Sequence, residues 1–305
     1  MQASQLFEDI TAQMIHDIEA GTDQWRMPWH ALADLGTPVN ADGRGYRGIN
    51  SLVLPLVAAG HGWNHGIWST FQSWRRHGAF VRKGERGTHV LLWKKTDRAT
   101  PSDSDDETES PRRPGLVART FVVFAAEQVD GADALVARHA RTFLDRDTPE
   151  RLAAADAYFA ATGLTIIEGG NRAYYSPTDD RIHVPTLAQF DNAPSFYGTL
   201  AHEAGHSSGH PDRLARDLTG RFGSDAYAAE ELVAELAAAM WCGQLGISAA
   251  TRADHASYAA SWLRVLGQDA RALVSVAGKA QAAVDYLNLL AGHGAVPSVE
   301  EAATA

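Results

Sequence analysis

The pentapeptide His-Glu-Ala-Gly-His at 202–206 constrains this chain of 305 residues more than any other feature. On a helix, His202 and His206 are four residues apart and therefore project from the same face. Two imidazoles placed in this way can bind one metal ion, and zinc suits them. Glu203 lies beside them, where it can take a proton from a water molecule at the metal. The spacing therefore predicts a hydrolytic metal site, against the alternative of a histidine-rich helix that binds nothing.

The surroundings of the pentapeptide favour the metal site. Residues 194–210 are predicted to form a helix, with Pro194 in its first turn, where proline is well tolerated. The predicted strand Arg181–Pro185 comes shortly before this helix. We expect that strand to form the edge of a zincin-type substrate cleft, so the context agrees with a metallopeptidase.

One candidate for the third protein ligand follows the pentapeptide directly. Asp212 lies six residues after His206, which is the spacing of the metzincin motif with Asp in place of the usual third His. Gly209 stands between them, where a glycine permits a sharp turn. His210 is a further candidate near the site, either as a group that assists the reaction or as a surface histidine beyond the helix end.

A second candidate lies on the next predicted helix, 224–246, which is otherwise rich in alanine and apolar residues. Glu231 and Glu235 are four residues apart there and share a face. In a gluzincin, the first such acid binds the metal and the second supports a ligand histidine. We therefore favour Glu231 as the ligand and Glu235 as the support. The alternatives for the ligand are Glu230, Glu235 and Asp212.

Hydrophobic periodicity predicts an α+β chain with an N-terminal α/β domain at 1–135, a second domain at 148–292 and a flexible tail at 293–305. Predicted helices fall at 4–20, 51–62, 68–79, 149–161, 194–210, 224–246, 248–266 and 268–291, and predicted strands at 89–95, 119–129, 164–170, 173–177 and 181–185. The acidic, polar segment at about 98–115 is predicted to be a disordered hairpin loop.

Charge is distributed unevenly along the chain. The formal net charge is -10, yet the segment from Gly21 to Lys95 holds ten Lys and Arg against four acids, a charge of +6 that leaves -16 elsewhere. Such asymmetry indicates contact with nucleic acid. Six of the eight tryptophans also lie in this segment, and rings among cations suit an unpaired strand, whose bases stack and whose phosphates need positive charge.

Loop residues beside glycines are the sharpest candidates for this contact, because glycine lets a phosphate approach the backbone. The candidate DNA-binding residues are Trp25, Arg26, Arg44, Tyr46, Arg47, Arg82, Lys83 and Arg86. Other aromatic side chains are expected to build the core instead, in particular Trp68, Phe71 and Phe80. Binding of this kind should be non-specific in sequence and sensitive to salt.

The cysteine content and the hydrophobic pattern of the sequence indicate the cellular compartment of the protein. The single cysteine, Cys242, excludes an internal disulfide and favours a reducing, cytoplasmic setting. Apolar runs are too short to span a bilayer, and the N-terminal stretch is amphipathic and acidic, unlike a signal peptide. We therefore expect a cytoplasmic protein without a membrane partner.

Several ordered motifs resemble those of the ArdC-type antirestriction proteins. The motifs "IEAGTDQWRMPW", "PVNADGRGYRGINSLVL", "WSTFQSW", "GAFVRKGERGTHVLLWKK" and "FVVFAAEQVDG" are similar to their N-terminal domain, and the stretch from Leu200 to Ile247 is similar to their zincin-like domain. The resemblance implies a mobile-element protein that binds single-stranded DNA, carries a metallopeptidase fold and protects incoming DNA from restriction. It also favours Glu231 over Asp212. The acidic insert departs from the pattern.

Two functional hypotheses follow. In the first, the protein is a zinc peptidase with Glu203 as general base, and its substrate is a protein such as a restriction component. In the second, it coats single-stranded DNA and the metal has a structural role only. Two histidines and one carboxylate suit manganese as well as zinc, so both metals stay open.

Overall fold

The computed structural model describes residues 3–21, 35–96, 115–139, 152–218, 224–247, 255–269 and 271–294. The helices in these ranges are α1 (Ala3–Gly21), α2 (Ile49–His61), α3 (Phe71–Arg76), α4 (Asp133–His139), α5 (Ala153–Thr162), α6 (Ala193–Ser207), α7 (Asp225–Leu245), α8 (His255–Gln268) and α9 (Ala272–Leu290). The strands are β1 (Trp68–Ser69), β2 (Phe80–Val81), β3 (Thr88–Thr96), β4 (Gly115–Ala125), β5 (Val129–Asp130), β6 (Ile166–Glu168), β7 (Tyr174–Ser176) and β8 (Arg181–Val184). Helices and strands are mixed, which confirms the α+β class.

A long antiparallel hairpin dominates the N-terminal half. β3 and β4 pair from Thr88 opposite Val123 to Thr96 opposite Gly115. β1 pairs with the other side of β4, and β2 and β5 form a separate antiparallel pair. This confirms the predicted pairing of the two strands that flank the acidic segment. Nearly all of that segment lies outside the described residues.

The sheet of the C-terminal half corrects one expectation. Its strand order is β6–β8–β7, with β8 parallel to β6 and antiparallel to β7. The strand Arg181–Pro185 was expected at the edge of a cleft, but β8 lies in the centre of this sheet. Among the described strands, β7 is an edge strand that also contacts α6. Strand order depends on pairing between distant segments, which hydrophobic periodicity does not report.

Two capped helices carry the predicted site. The side chain of Asn192 accepts the Ser195 N–H at 2.9 Å at the start of α6, and the Ser224 hydroxyl accepts the Tyr227 N–H at 3.2 Å at the start of α7. The helices cross at Gly205, where an added Cβ would lie 3.2 Å from the Cα of Ala234. Glycine at this point therefore allows the two backbones to approach closely.

Both halves of the chain contribute to one large hydrophobic core. Met14 and Ile18 of α1 belong to the same buried cluster as Trp241 and Trp262 of the C-terminal half. α1 packs against α8, and α2 packs against α9. The described parts of the two halves therefore fold against each other. The exact boundary between the domains stays a prediction.

Burial in the N-terminal half confirms one aromatic expectation and corrects two. Trp68 is fully buried, as expected. Phe71 is 53% exposed and Phe80 is 58% exposed, so neither ring belongs to the core. Both lie on short elements whose core-facing positions are taken by neighbours, namely the buried Trp74 on α3 and the partly buried Val81 on β2.

No helix in the described ranges combines the length and the apolar character that a membrane crossing requires.

Candidate metal centre

α6 and α7 bring together the three predicted metal ligands. Ligand atoms of His202, His206 and Glu231 all lie within 4.8 Å of one another. The two Nε2 atoms are 3.1 Å apart. One carboxylate oxygen of Glu231 lies 3.5 Å from Nε2 of His202, and the other lies 3.6 Å from Nε2 of His206. Two imidazole nitrogens and one carboxylate thus converge on one point, which is a donor set that fits Zn²⁺ or Mn²⁺.

A second pair of carboxylates holds the opposite nitrogens of the two histidines. Glu235 Oε1 lies 3.1 Å from Nδ1 of His202, and Glu230 Oε1 lies 3.3 Å from Nδ1 of His206. A carboxylate at this position fixes the tautomer and the orientation of a ligand imidazole. Glu235 therefore lies where the sequence predicted a support, and Glu230 is the matching support for the other histidine.

The electrostatics of the cluster favour ionised carboxylates. Burial alone would raise the pKa of Glu231, but the hydrogen bond with His202 and the charge of His206 outweigh it and lower this pKa to about 2. Burial likewise opposes ionisation of Glu230, while contacts with His206 and Arg216 lower its pKa below the usual range. Anionic carboxylates are what a cation-binding site requires.

Arg216 fixes the position of Glu230, the carboxylate beside His206, through hydrogen bonds. Its Nε donates to Glu230 Oε2 at 2.9 Å, and its Nη2 lies 2.8 Å from Glu230 Oε1. The same guanidinium donates to the carbonyl of Gly205 at 2.7 Å and to the hydroxyl of Ser208 at 2.9 Å. It therefore binds the C-terminal end of α6, where cations are favourable.

The backbone conformation of the loop after α6 places Arg216 beside Glu230. Ala215 has a left-handed backbone with φ of 48°, which is strained for a residue with a Cβ. A Cβ added at Gly209 would lie 3.0 Å from Nη2 of Arg216. Gly209 lies in the turn after α6, as expected, although its φ is not positive. The absence of a side chain there also leaves room for the guanidinium.

Asp212 does not join the cluster, which corrects its place among the alternative ligands. Its side chain is 92% exposed. Its backbone N–H donates to Nδ1 of His210 at 3.2 Å, so the residue belongs to the turn after α6. Glu203, in contrast, lies on α6 between His202 and His206 in sequence and is only 4% exposed, and its role as general base stays a prediction.

A network that the sequence analysis missed ties the edge strand to the end of α6. Asp180 accepts the Tyr175 hydroxyl at 2.8 Å and the Arg213 guanidinium at 2.7 Å, and Arg213 also donates to the carbonyl of Ser207 at 2.7 Å. Burial and the charge of Asp180 raise the pKa of Tyr175 to about 12. This network holds β7 beside the C-terminal end of α6. Asp180 and Arg213 are 33 residues apart and belong to no recognised motif.

The predicted DNA-binding residues differ in their exposure and in their contacts. Arg44, Lys83 and Arg86 are exposed. Arg82 is exposed as well, but it pairs with Glu85 at 2.8 Å and contacts the carbonyl of Glu127. Trp25 and Arg26 lie outside the described residues.

Tyr46 and Arg47 have structural contacts that change their interpretation. Tyr46 is 2% exposed and its hydroxyl donates to the Trp68 carbonyl, so its ring is not available for stacking and that expectation is wrong. Arg47 forms a partly buried ion pair with Asp285 of α9. Beside it, the Gly48 N–H donates to the Gln281 side chain at 3.1 Å. Arg47 therefore joins the two halves of the chain.

Two family models cover most of the chain. Residues 4–124 match the N-terminal domain of the anti-restriction factor ArdC. Residues 153–279 match the zincin-like metallopeptidase family MPTase-PolyVal.

Two sequence relatives match nearly the whole chain. The chain is 42% identical over 292 residues to the uncharacterized protein y4eC of Sinorhizobium fredii, with 93% of this chain and 91% of that protein covered. It is 36% identical to an Escherichia coli DNA primase TraC, but it spans 27% of the length of that primase.

Solved structures agree over the whole length. The metal-free crystal structure of the antirestriction protein ArdC from plasmid R388 superposes with a TM-score of 0.78 at 36% identity, covering 95% of this chain and 98% of that one. The Mn(II)-bound structure of the same protein gives a TM-score of 0.75 at 35% identity, covering 94% and 98%. By sequence, domain order and fold, the chain belongs to the ArdC family of antirestriction proteins.

Proposed function

We propose that this protein protects incoming mobile-element DNA by binding it as a single strand and by cleaving a protein substrate at the metal centre. The observation that supports the peptidase activity most strongly is the convergence of His202, His206 and Glu231 beside the buried Glu203. A protein component of a restriction system is the substrate that best fits an antirestriction role.

In this proposal, the chain supplies a site for a divalent cation and a general base for peptide hydrolysis. His202, His206 and Glu231 would hold a divalent cation, for which zinc is our first choice and manganese the alternative. Such a cation would polarise the scissile carbonyl and make a water molecule more acidic. Glu203 accepts a proton from that water and returns it to the nitrogen of the departing amine. Glu230 and Glu235 keep the two imidazoles in one tautomer, so that their Nε2 lone pairs face the cation.

The N-terminal half would hold the strand through its exposed cations. Arg44, Lys83 and Arg86 lie on glycine-containing loops, where phosphates can approach the backbone. Their charge attracts DNA without reading its sequence. This agrees with a protein that must protect whatever DNA enters.

A second candidate function is non-catalytic coating of the strand, with the metal as a structural element. It is favoured by the packing of α1 and α2 against the C-terminal helices, because a metal that stabilises the C-terminal half would then also stabilise the N-terminal half. The same shared core means that the two functions have to be separated in the full-length chain.

Glu203→Gln separates the two functions. Glutamine is nearly the same size but cannot accept the proton, so metal and DNA binding should be retained while cleavage is lost. The measurement is plasmid transfer into a restricting recipient compared with a non-restricting one, with Glu168→Gln on exposed β6 as the matched control. Loss of protection in Glu203→Gln alone supports the peptidase; full protection by Glu203→Gln contradicts it and leaves the coating function.

A further inference from the structure

Two phenylalanines face solvent on the N-terminal half, and they lie on adjoining elements. Phe71 is the first residue of α3, and Phe80 is the first residue of β2, which packs against α3. Each ring is more than half exposed. Neighbouring large apolar side chains with this degree of solvent exposure indicate a surface that contacts a partner.

The backbone explains why these rings point outward. On β2, Val81 pairs with Val129 and packs against the buried cluster, so strand alternation turns Phe80 to the opposite face. On α3, the buried positions are Ser73 and Trp74, which leaves Phe71 on the solvent side. The exposure of both rings therefore follows from the register of well-formed elements.

Cations lie near the two rings along the chain. Arg75 lies one turn after Phe71 on α3, and Arg76 follows it. Lys83 lies in the turn after β2. Among the ion pairs that the described residues form, Arg75, Arg76 and Lys83 take no part.

The nearby acids already have partners, including Asp130, which lies opposite Phe80 on β5 and 3.7 Å from Nη1 of Arg82. Asp42 pairs with His77 at 2.8 Å. Glu85 pairs with Arg82 at 2.8 Å and accepts the side-chain amide of Gln128 at 3.1 Å. The surface of α3, β2 and the 82–86 turn, which we name the phenylalanine face, is therefore positive around two open rings.

We infer that the phenylalanine face is the surface on which single-stranded DNA lies, with Phe71 and Phe80 stacking on bases and with Arg75, Arg76 and Lys83 contacting phosphates. This inference rests on the proposed binding of single-stranded DNA and says where that binding occurs. Two open rings beside several cations fit an unpaired strand better than duplex DNA, which hides its base faces, and better than a protein partner, because the cores of protein interfaces are depleted in charged residues. Stacking on phenylalanine also reads no sequence.

The test compares two probes on the full-length protein. The first is a labelled oligothymidylate of 16 nucleotides, and the second is a strand of the same length with abasic sites, which keeps the phosphates and lacks the rings. The variant is Phe71→Leu with Phe80→Leu, because leucine stays apolar but cannot stack as a ring does. For the oligothymidylate, we expect the variant to lose affinity by about five-fold or more per ring removed. For the abasic strand, we expect the variant and the wild type to bind with equal affinity.

Matched variants complete the experiment. Leu289→Ala changes another exposed apolar residue, 71% exposed on α9, and should bind as the wild type does. Phe71→Tyr with Phe80→Tyr keeps both rings and should restore the affinity. Arg75→Gln with Arg76→Gln should lower the affinity for both probes and reduce the dependence of that affinity on salt concentration.

The outcomes separate this inference from the proposed function. If the wild type binds the oligothymidylate and the leucine variant binds it equally well, the phenylalanine face is not the DNA surface, while DNA binding itself stands. If the wild type binds neither probe at low salt, the proposed DNA binding fails together with this inference. A loss in the leucine variant that is equal for both probes also contradicts stacking.

Discussion

Arg216 and Glu230 are joined by two hydrogen bonds, from Nε to Oε2 at 2.9 Å and from Nη2 to Oε1 at 2.8 Å. Glu230 in turn lies 3.3 Å from Nδ1 of His206. Through Glu230, the arginine therefore helps to position His206, which we propose as a metal ligand. The relationship connects the loop after α6 with the candidate metal centre.

Arg216→Met should weaken metal binding. Without the guanidinium, Glu230 is free to turn away, and His206 loses the group that orients its ring. We expect about a 10- to 100-fold loss of affinity for Zn²⁺ or Mn²⁺, measured by competition with a chelator. Arg264→Met, which removes an exposed ion pair with Asp225, is the control. Equal affinity in both variants would show that the arginine does not position the site.

Gly205→Ala should destabilise the protein, because the new methyl group meets the backbone of Ala234 at the crossing of α6 and α7. Overpacking of this kind costs about 1–3 kcal/mol. Gly198→Ala lies on the same helix with open space around its Cβ, and it should raise the free energy of unfolding by about 0.5–1 kcal/mol. Urea unfolding of both variants measures the difference. A Gly205→Ala variant as stable as Gly198→Ala would contradict the close helix crossing.

Arg47 should act on stability more than on DNA binding. Its ion pair with Asp285 is partly exposed, so its contribution is about 0.2–1 kcal/mol. A double-mutant cycle of Arg47→Met and Asp285→Asn should give a coupling energy of that size. Arg44→Ala is the comparison, because its exposed side chain should contribute to DNA affinity and not to stability. A coupling energy of zero would remove Arg47 from the contact between the halves.

The depressed pKa of Glu231 predicts a dependence of stability on pH in the metal-free protein. Its folded pKa of about 2 lies below the ordinary value of 4.5, so the ionised form stabilises the fold. That stability is fully present above pH 4.5 and is lost as the pH falls towards 2. The difference in unfolding free energy between wild type and Glu231→Gln, measured with a chelator present, should therefore shrink over this window. A difference in unfolding free energy that is constant from pH 6 to pH 2 would contradict the lowered pKa of Glu231.

The centre could be predicted from sequence where it rests on helical periodicity. A spacing of four residues places His202 and His206 on one face, and the same spacing relates Glu231 to Glu235. The choice of Glu231 over Asp212 also used the resemblance to known proteins. In the structure Glu231, and not Asp212, lies beside the two histidines, because α7 crosses α6 at Gly205 and brings the two motifs together.

Other features could not be predicted, because they depend on contacts between distant segments. The central position of β8 results from its parallel pairing with β6, which leaves no periodic signal. Aromatic character does not tell whether a ring is buried, since hydrophobic residues are found on surfaces as well as in cores. Tyr46 was therefore expected outside and lies inside, whereas Phe71 and Phe80 show the reverse.

We propose that His202, His206 and Glu231 together hold one divalent cation. The metal content of the purified full-length protein tests this ligand set, beside Glu231→Ala and Asp212→Ala, after loading with Zn²⁺ or Mn²⁺ and desalting. We expect the wild type and Asp212→Ala to retain one equivalent and Glu231→Ala to lose it. Retention by Glu231→Ala together with loss in Asp212→Ala would contradict it.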